Sequence, residues 1–236
     1  GTLTLENITT SSSVSNNSKG ILNINNVTFS STNNYYIPIT TSQAGTTNIN
    51  GAIIENGYIE NGYSHTININ SVYNSTYRSG AISNTGTINI NGGTITSTVG
   101  NSITNTGTIN IGSKDGNVST EMPIITGKTY GVSNSDSGKV NFYDGIVSGE
   151  SGAFYGTVNE VEPGYKIVTN KNDTLTSATL TLVGDDEKVA VLNGINFTSL
   201  QDAINSASDT NESIITLYKD VTFESNITVP ANKNIK

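Results

Sequence analysis

The 236-residue chain has a formal net charge of -8 and a pI near 4.5, with 33 % hydrophobic and 13 % charged residues and no cysteine. This excludes a nucleic-acid surface, which needs clustered Lys and Arg, and it excludes disulfides and Cys-ligated metals. A disordered chain of such low hydrophobicity normally carries more charge; here Asn, Thr, Ser and 24 Gly fill the deficit, as suits short strands and tight turns.

In chain order, the first elements are copies of one strand. Leu3-Thr4-Leu5, Leu22-Asn23-Ile24-Asn25 and Thr47-Asn48-Ile49-Asn50 lead to Thr66-Ile67-Asn68-Ile69-Asn70. That unit returns as Thr87-Ile88-Asn89-Ile90-Asn91, as Thr108-Ile109-Asn110-Ile111-Gly112 and, altered, as Val140-Asn141-Phe142. With Leu5, Ile24, Ile49, Ile69, Ile90, Ile111 and Phe142 taken as equivalent, the spacings are 19, 25, 20, 21, 21 and 31. A near-constant period of this size marks a solenoid, and the longer spacings mark loops inserted at turns. One period holds about three short strands. In one of them these are Ala81-Ile82-Ser83, Thr87 to Ile90 and Thr94-Ile95-Thr96, with Asn84-Thr85-Gly86 and Asn91-Gly92-Gly93 as corners. Stacked in parallel at the usual strand spacing, seven rungs make a rod on the order of 30 Å long.

The alternation assigns sides. The Ile pairs 67/69, 88/90 and 109/111 point into a tube. Asn23, Asn48, Asn68, Asn89, Asn110 and Asn141 form an external column, and Asn25, Asn50, Asn70 and Asn91 form a second column at the corner. Stacked amides can hydrogen-bond along such columns.

The pattern fades after about residue 155. Thr157 to Val161, Tyr165 to Val168 and Thr174 to Val183 are expected to be strands that close the tube, and Gly184 to Lys188 a boundary. Thr198 and Gln201 then read as a capping box before a helix whose apolar members are Leu200, Ala203, Ile204 and Ala207. Strands are expected again at Ser213 to Leu217, Val221 to Phe223 and Ile227 to Pro230. The expected organisation is a parallel β-helix over residues 1–155, closing strands over 156–183 and a helix-led segment over 184–236.

The run from Asn84 to Thr96, N-T-G-T-I-N-I-N-G-G-T-I-T, resembles repeats of the right-handed parallel β-helix (pectin-lyase-like) proteins of bacterial surfaces. Val140 to Gly149 resembles their later rungs. Residues 190–235 resemble the helix-led opening that precedes such a β-helix, so the resemblance implies tandem neighbouring domains in the same chain and an excised or processed segment. It also implies an extracellular, bacterial cell-surface or secreted location; the residues themselves point to no cofactor. The fold class is therefore expected to be all-β, a right-handed parallel β-helix of about seven rungs followed by a small α+β segment.

Polysaccharide cleavage on such a fold needs paired carboxylates that converge on one face. Asp136, Asp144 and Glu150 are the best candidates, and they are not spaced by a rung; Asp115 and Asp136 are 21 apart but differ in phase. His65 is the only histidine, which precludes a multi-His metal cluster, and it reads as a loop residue. Lys114-Asp115-Gly116-Asn117 lacks the alternating carboxylates of a Ca²⁺ loop. No catalytic or metal site is assigned. Tyr58, Tyr63, Tyr73 and Tyr77, with Arg78 nearby, are the candidate binding residues, because stacked tyrosines hold sugar rings by their apolar faces. Tyr73 falls at the strand position of Ile53, which points to packing for that residue. The expected function is a non-catalytic structural and adhesive segment, a stiff spacer with an interaction surface for a host or cell-surface glycan or protein. The alternative is a glycan-binding or polysaccharide-cleaving β-helix.

Overall fold

The computed structural model describes residues 1–33, 36–76, 80–114, 116, 118, 122–221 and 226–236, with the side chains of Ser75 and Thr76 excepted. The chain divides into two units. The first comprises Gly1–Glu160 with Thr169–Thr179, and the second Val161–Val168 with Leu180–Lys236.

The first unit is a parallel β-solenoid of about seven turns. Each turn lays strands on three faces. The first face stacks Thr2–Glu6, Ile21–Asn25, Thr46–Glu55, Thr66–Thr76, Thr87–Ile90, Thr108–Ile111 and Lys139–Phe142. The second stacks Thr9–Thr10, Thr28–Ser30, the later halves of Thr46–Glu55 and Thr66–Thr76, then Thr94–Ser97, Ile124–Gly127 and Ile146–Gly149. The third stacks Val14–Asn16, Tyr36–Thr41, Gly57–Asn61, Ile82–Asn84, Ile103–Asn105, Tyr130–Asn134 and Gly152–Tyr155. The register of the first face is the one the repeat predicts: Leu5, Ile24, Ile49, Ile69, Ile90, Ile111 and Phe142 pair in succession.

The strands form because each turn supplies the same three inward stations. From the first face these are two residues per turn, such as Ile67 and Ile69 or Ile88 and Ile90, all fully buried. The second face adds Phe29, Ile54, Ile95, Ile125 and Val147, and the third adds Ile39, Ile59, Ile82, Ile103 and Val132. A fully buried Ile contributes about 1.5–3 kcal/mol, so a turn such as the one carrying Ile88, Ile90, Ile95 and Ile103 holds its neighbours strongly. In the first turn the same column is open, and Leu3, aligned with buried Leu22, is 55 % exposed.

The inserted loops sit where the long spacings place them. One runs between the second and third faces ahead of Tyr36–Thr41, and the other spans 112–123 between the first and second faces. Asp115 and Asn117 of the second loop lie outside the described residues. At the far end the second face gains an antiparallel strand, Thr176–Leu182, through Val147↔Ala178 and Ser148↔Ser177. Thr174 and Leu175, expected to begin that strand, lie before it, because Asn172 Oδ1 accepts both of their N–H groups in a turn. Of the residues expected as a strand at 157–161, Glu160 and Val161 are extended as one. Asn159 accepts the Val140 N–H through Oδ1 at 2.8 Å and donates its own N–H to the Val140 carbonyl at 2.7 Å.

The second unit holds a three-stranded antiparallel sheet of Ala190–Leu192, Ile195–Phe197 and Ile215–Leu217, and one helix, α1, Leu200–Ser206. The hairpin turns on Asn193 and Gly194, both at positive φ (52° and 82°), the backbone an Asn-Gly pair adopts readily. The helix cap differs from the expected box by one residue. Ser199 is the N-cap, its Oγ accepting the Asp202 N–H at 3.1 Å. Gln201 instead brackets the backbone of Thr228, accepting its N–H at 2.8 Å and donating to its carbonyl at 2.7 Å. Ala203 and Ala207 pack with Ala190, Leu192 and Phe197. Residues 227–230 form no strand: that segment is held by the Gln201 side chain rather than by a strand partner. Of the strand expected at Val221 to Phe223, Thr222 and Phe223 lie outside the described residues.

Candidate functional site

The most ordered surface of the solenoid is its first face. Outward from each Ile pair stands the central asparagine, and the amides are joined from turn to turn. Nδ2 of Asn48, Asn68, Asn89, Asn110 and Asn141 each donates to Oδ1 of the preceding asparagine, from Asn23 to Asn110, at 2.7–2.9 Å. Asn23 closes the row on Thr4 Oγ1 at 3.4 Å. Beside it the corner column Asn25, Asn50, Asn70 and Asn91 is joined in the same sense at 2.8–3.0 Å. Each amide spends one N–H and one lone pair on its neighbours. An amide has a second N–H and a second lone pair beyond those the row uses, so the half-exposed rows carry a regular array of donors and acceptors.

A third ladder lies inside the tube, and the repeat did not announce it. Asn84, expected at a corner with Thr85 and Gly86, is the last residue of its strand and points inward, 1 % exposed. Asn61, Asn84 and Asn105 each donate from Nδ2 to Oδ1 of the next asparagine, ending at Asn134, at 2.7–2.8 Å. This ladder runs opposite in sense to the outer ones. Its orientation is set by the backbone, because the Nδ2 groups of Asn61, Asn84, Asn105 and Asn134 donate in turn to the carbonyls of Thr87, Thr108, Lys139 and Thr157 at 3.0–3.1 Å. Those carbonyls sit where the chain turns from the third face to the first, and the buried amides satisfy them where the strand ladder is interrupted.

The tyrosines leave the solenoid at separate stations. Tyr58 is half-buried on the third face, and Tyr63 is 81 % exposed in the connection from the third face to the first. Tyr73 aligns with Ile53 as expected, but both point outward, at 54 % and 42 % exposure, so Tyr73 does not pack the tube. Tyr77 and Arg78 lie outside the described residues. The structure therefore does not gather Tyr58, Tyr63 and Tyr73 on one face.

The carboxylates are also dispersed. Asp136, Asp144 and Glu150 occupy the three successive corners of the seventh turn. Glu150 pairs with Lys128 on the surface, and Asp144 Oδ1 accepts the Gly145 N–H at 2.7 Å. Glu160 pairs with Lys114 and accepts from the Tyr143 hydroxyl at 2.9 Å. Among the described residues no three of His, Asp and Glu come together as a metal site would require.

His65 does lie in a connection, yet its ring is wholly buried. Nδ1 meets the Gln43 carbonyl at 2.6 Å and Nε2 meets Thr47 Oγ1 at 3.0 Å. Burial lowers its pKa from 6.5, and the bond to Gln43 opposes that only in part. In the second unit, Lys188 holds the exposed Asp185 carboxyl below its usual range, and Lys166 does the same for Glu187.

Fold and ladders together define a parallel β-solenoid with asparagine ladders on its surface and in its core. Compared with known proteins, the chain matches no family, no curated sequence and no solved structure. Among the described residues, no helix is long and apolar enough to cross a membrane.

Proposed function

We propose that this chain is a non-catalytic structural and adhesive segment of a large bacterial cell-surface protein, a stiff spacer that presents an interaction surface. The observation that carries this reading is the outer amide ladder, continuous from Asn23 to Asn141. It ties consecutive turns by side-chain bonds in addition to the strand ladder, which resists bending between turns. It also leaves a neutral, hydrogen-bonding face suited to a host or cell-surface glycan or protein. The placement of Asp136, Asp144 and Glu150 at separate corners, rather than as a facing pair on one face, supports the non-catalytic reading.

Tyr63, 81 % exposed, and Tyr73, 54 % exposed, favour a second reading in which the solenoid binds glycans. A glycan-array screen separates the two. Specific signal that is lost on Tyr63→Ala promotes glycan binding through the tyrosines. Silence across the array favours the spacer, and signal that survives Tyr63→Ala and Tyr73→Ala but disappears on Asn89→Ala assigns binding to the amide face.

A further inference from the structure

Three departures from the repeat meet in the interior between the second and fourth turns. The residue before each first-face strand is Gly20, Gly45, Gly86, Gly107 and Gly138, but in the fourth turn it is His65. The first inward residue of that strand is Leu22, Ile67, Ile88, Ile109 and Val140, but in the third turn it is Thr47, fully buried. The inner ladder holds Asn16, Asn61, Asn84, Asn105 and Asn134, but in the second turn it holds Thr41.

These substitutions compensate one another. Thr41 keeps the upward step of the ladder, its hydroxyl donating to Asn61 Oδ1 at 2.7 Å, while below it Asn16 Nδ2 donates to the Thr46 carbonyl at 3.1 Å and to Thr47 Oγ1 at 3.4 Å. The His65 ring fills the space beside Gly45, where a Cβ on that glycine would stand 3.2 Å from its Cε1. The Gln43 carbonyl can only accept, so Nδ1 carries the proton. Nε2 is then the acceptor, and the Thr47 hydroxyl donates to it, while Asn16 Nδ2 lies 3.4 Å from the same hydroxyl oxygen.

We propose that His65 makes this section of the solenoid acid-labile, so that protonating its ring loosens the third and fourth turns while the regular turns beyond them stay closed. A proton on Nε2 would face the Thr47 hydroxyl with a donor where it now finds an acceptor. The hydroxyl hydrogen would have to turn away in a packed interior, and Asn16 already points a donor at the same oxygen. Among the described residues, no acidic side chain is turned toward the ring to hold the charge. On the elements around it, Glu60 and Lys19 are exposed and the Glu55 carboxylate accepts from Ser30 Oγ on the outer surface. The connection Ser42–Gly45 and the strand ends Asn84–Thr87 carry no ionisable group.

The sign follows from linkage. The folded state holds His65 neutral below its ordinary value of 6.5, so the unfolded chain binds the proton more readily. The stability contributed by the neutral ring is complete above pH 6.5 and is lost as the pH falls from there through the folded-state value.

His65 is the only histidine, so its ring resonance in the full chain can be titrated by NMR without assignment ambiguity. The expected result is a ring that stays neutral past pH 6.5 as the pH falls. Amide exchange, corrected for intrinsic rate, should then rise at least tenfold in peptides covering 43–67 between pH 7.5 and 5, with little change across 87–111. The triple variant Thr41→Asn, Thr47→Ile, His65→Gly restores the repeat and should abolish that difference. A ring that titrates at or above 6.5, equal acid response in both segments, or an acid response that survives in the triple variant overturns the proposal.

Discussion

At the residue scale the two kinds of asparagine differ in worth. Asn105 Nδ2 donates to the Gly107 carbonyl, to Asn134 Oδ1 and to the Lys139 carbonyl, and Oδ1 accepts from Asn84 and from the Gly107 N–H. Asn105→Ala orphans buried groups on both sides and is expected to cost about 3 kcal/mol or more, since an unmet buried partner costs more than a lost bond is worth. Asn89→Ala on the outer face leaves water free to replace the amide and should cost less than about 1 kcal/mol. Urea midpoints of the two variants check the contrast. Asn74 is the opposite case. It stands in the inward column of Ile54 and Ile95, and its Oδ1 has no partner among the described residues. Its Nδ2 donates to the Ala81 carbonyl, which already accepts from Ile59. Asn74→Ile should therefore stabilise the chain by about 1 kcal/mol, seen as a higher Tm.

At the element scale, glycine is required for two different reasons. Gly93 turns at φ 96°, and only glycine adopts that backbone at little cost. Gly107 has no such φ, but a Cβ there would stand 2.1 Å from the Gly86 carbonyl oxygen of the turn beneath. Gly107→Ala is expected to destabilise by about 1–3 kcal/mol through that clash, read as a lower urea midpoint. The corner N-T-G motif is legible in the sequence as punctuation. Its actual work, an asparagine buried below and a glycine pressed against its neighbour, is not, because both depend on the turn above. The helix cap shows the same limit on a smaller scale. Thr198 and Ser199 are both good caps, and the sequence does not say that Gln201 is engaged by Thr228.

At the scale of the whole molecule, the solenoid is a sum of nearly equivalent turns, each touching only its neighbours. Deleting residues 82–102 removes one 21-residue period and brings Ile103 to the position of Ile82 and Thr108 to that of Thr87. Asn61 then meets Asn105 in the inner ladder. This shortened chain should fold, with an unchanged far-UV circular dichroism signal per residue; loss of that signal or aggregation would contradict independent stacking. Deleting a segment out of phase with the period should abolish folding, because a one-residue slip turns the Ile columns outward.

The sequence by itself determined the solenoid, the register of its first face, the outer amide columns and the places where loops leave. All of these repeat along the chain at a fixed period, and alternation within a strand fixes sides without knowledge of any neighbour. The tertiary structure alone decided which residues at corners turn inward, that Tyr73 faces out, that the tyrosines stand apart and that His65 is buried against Thr47. Those outcomes depend on contacts between turns at positions where the repeat is broken, and a broken period carries no information about what lies one turn away.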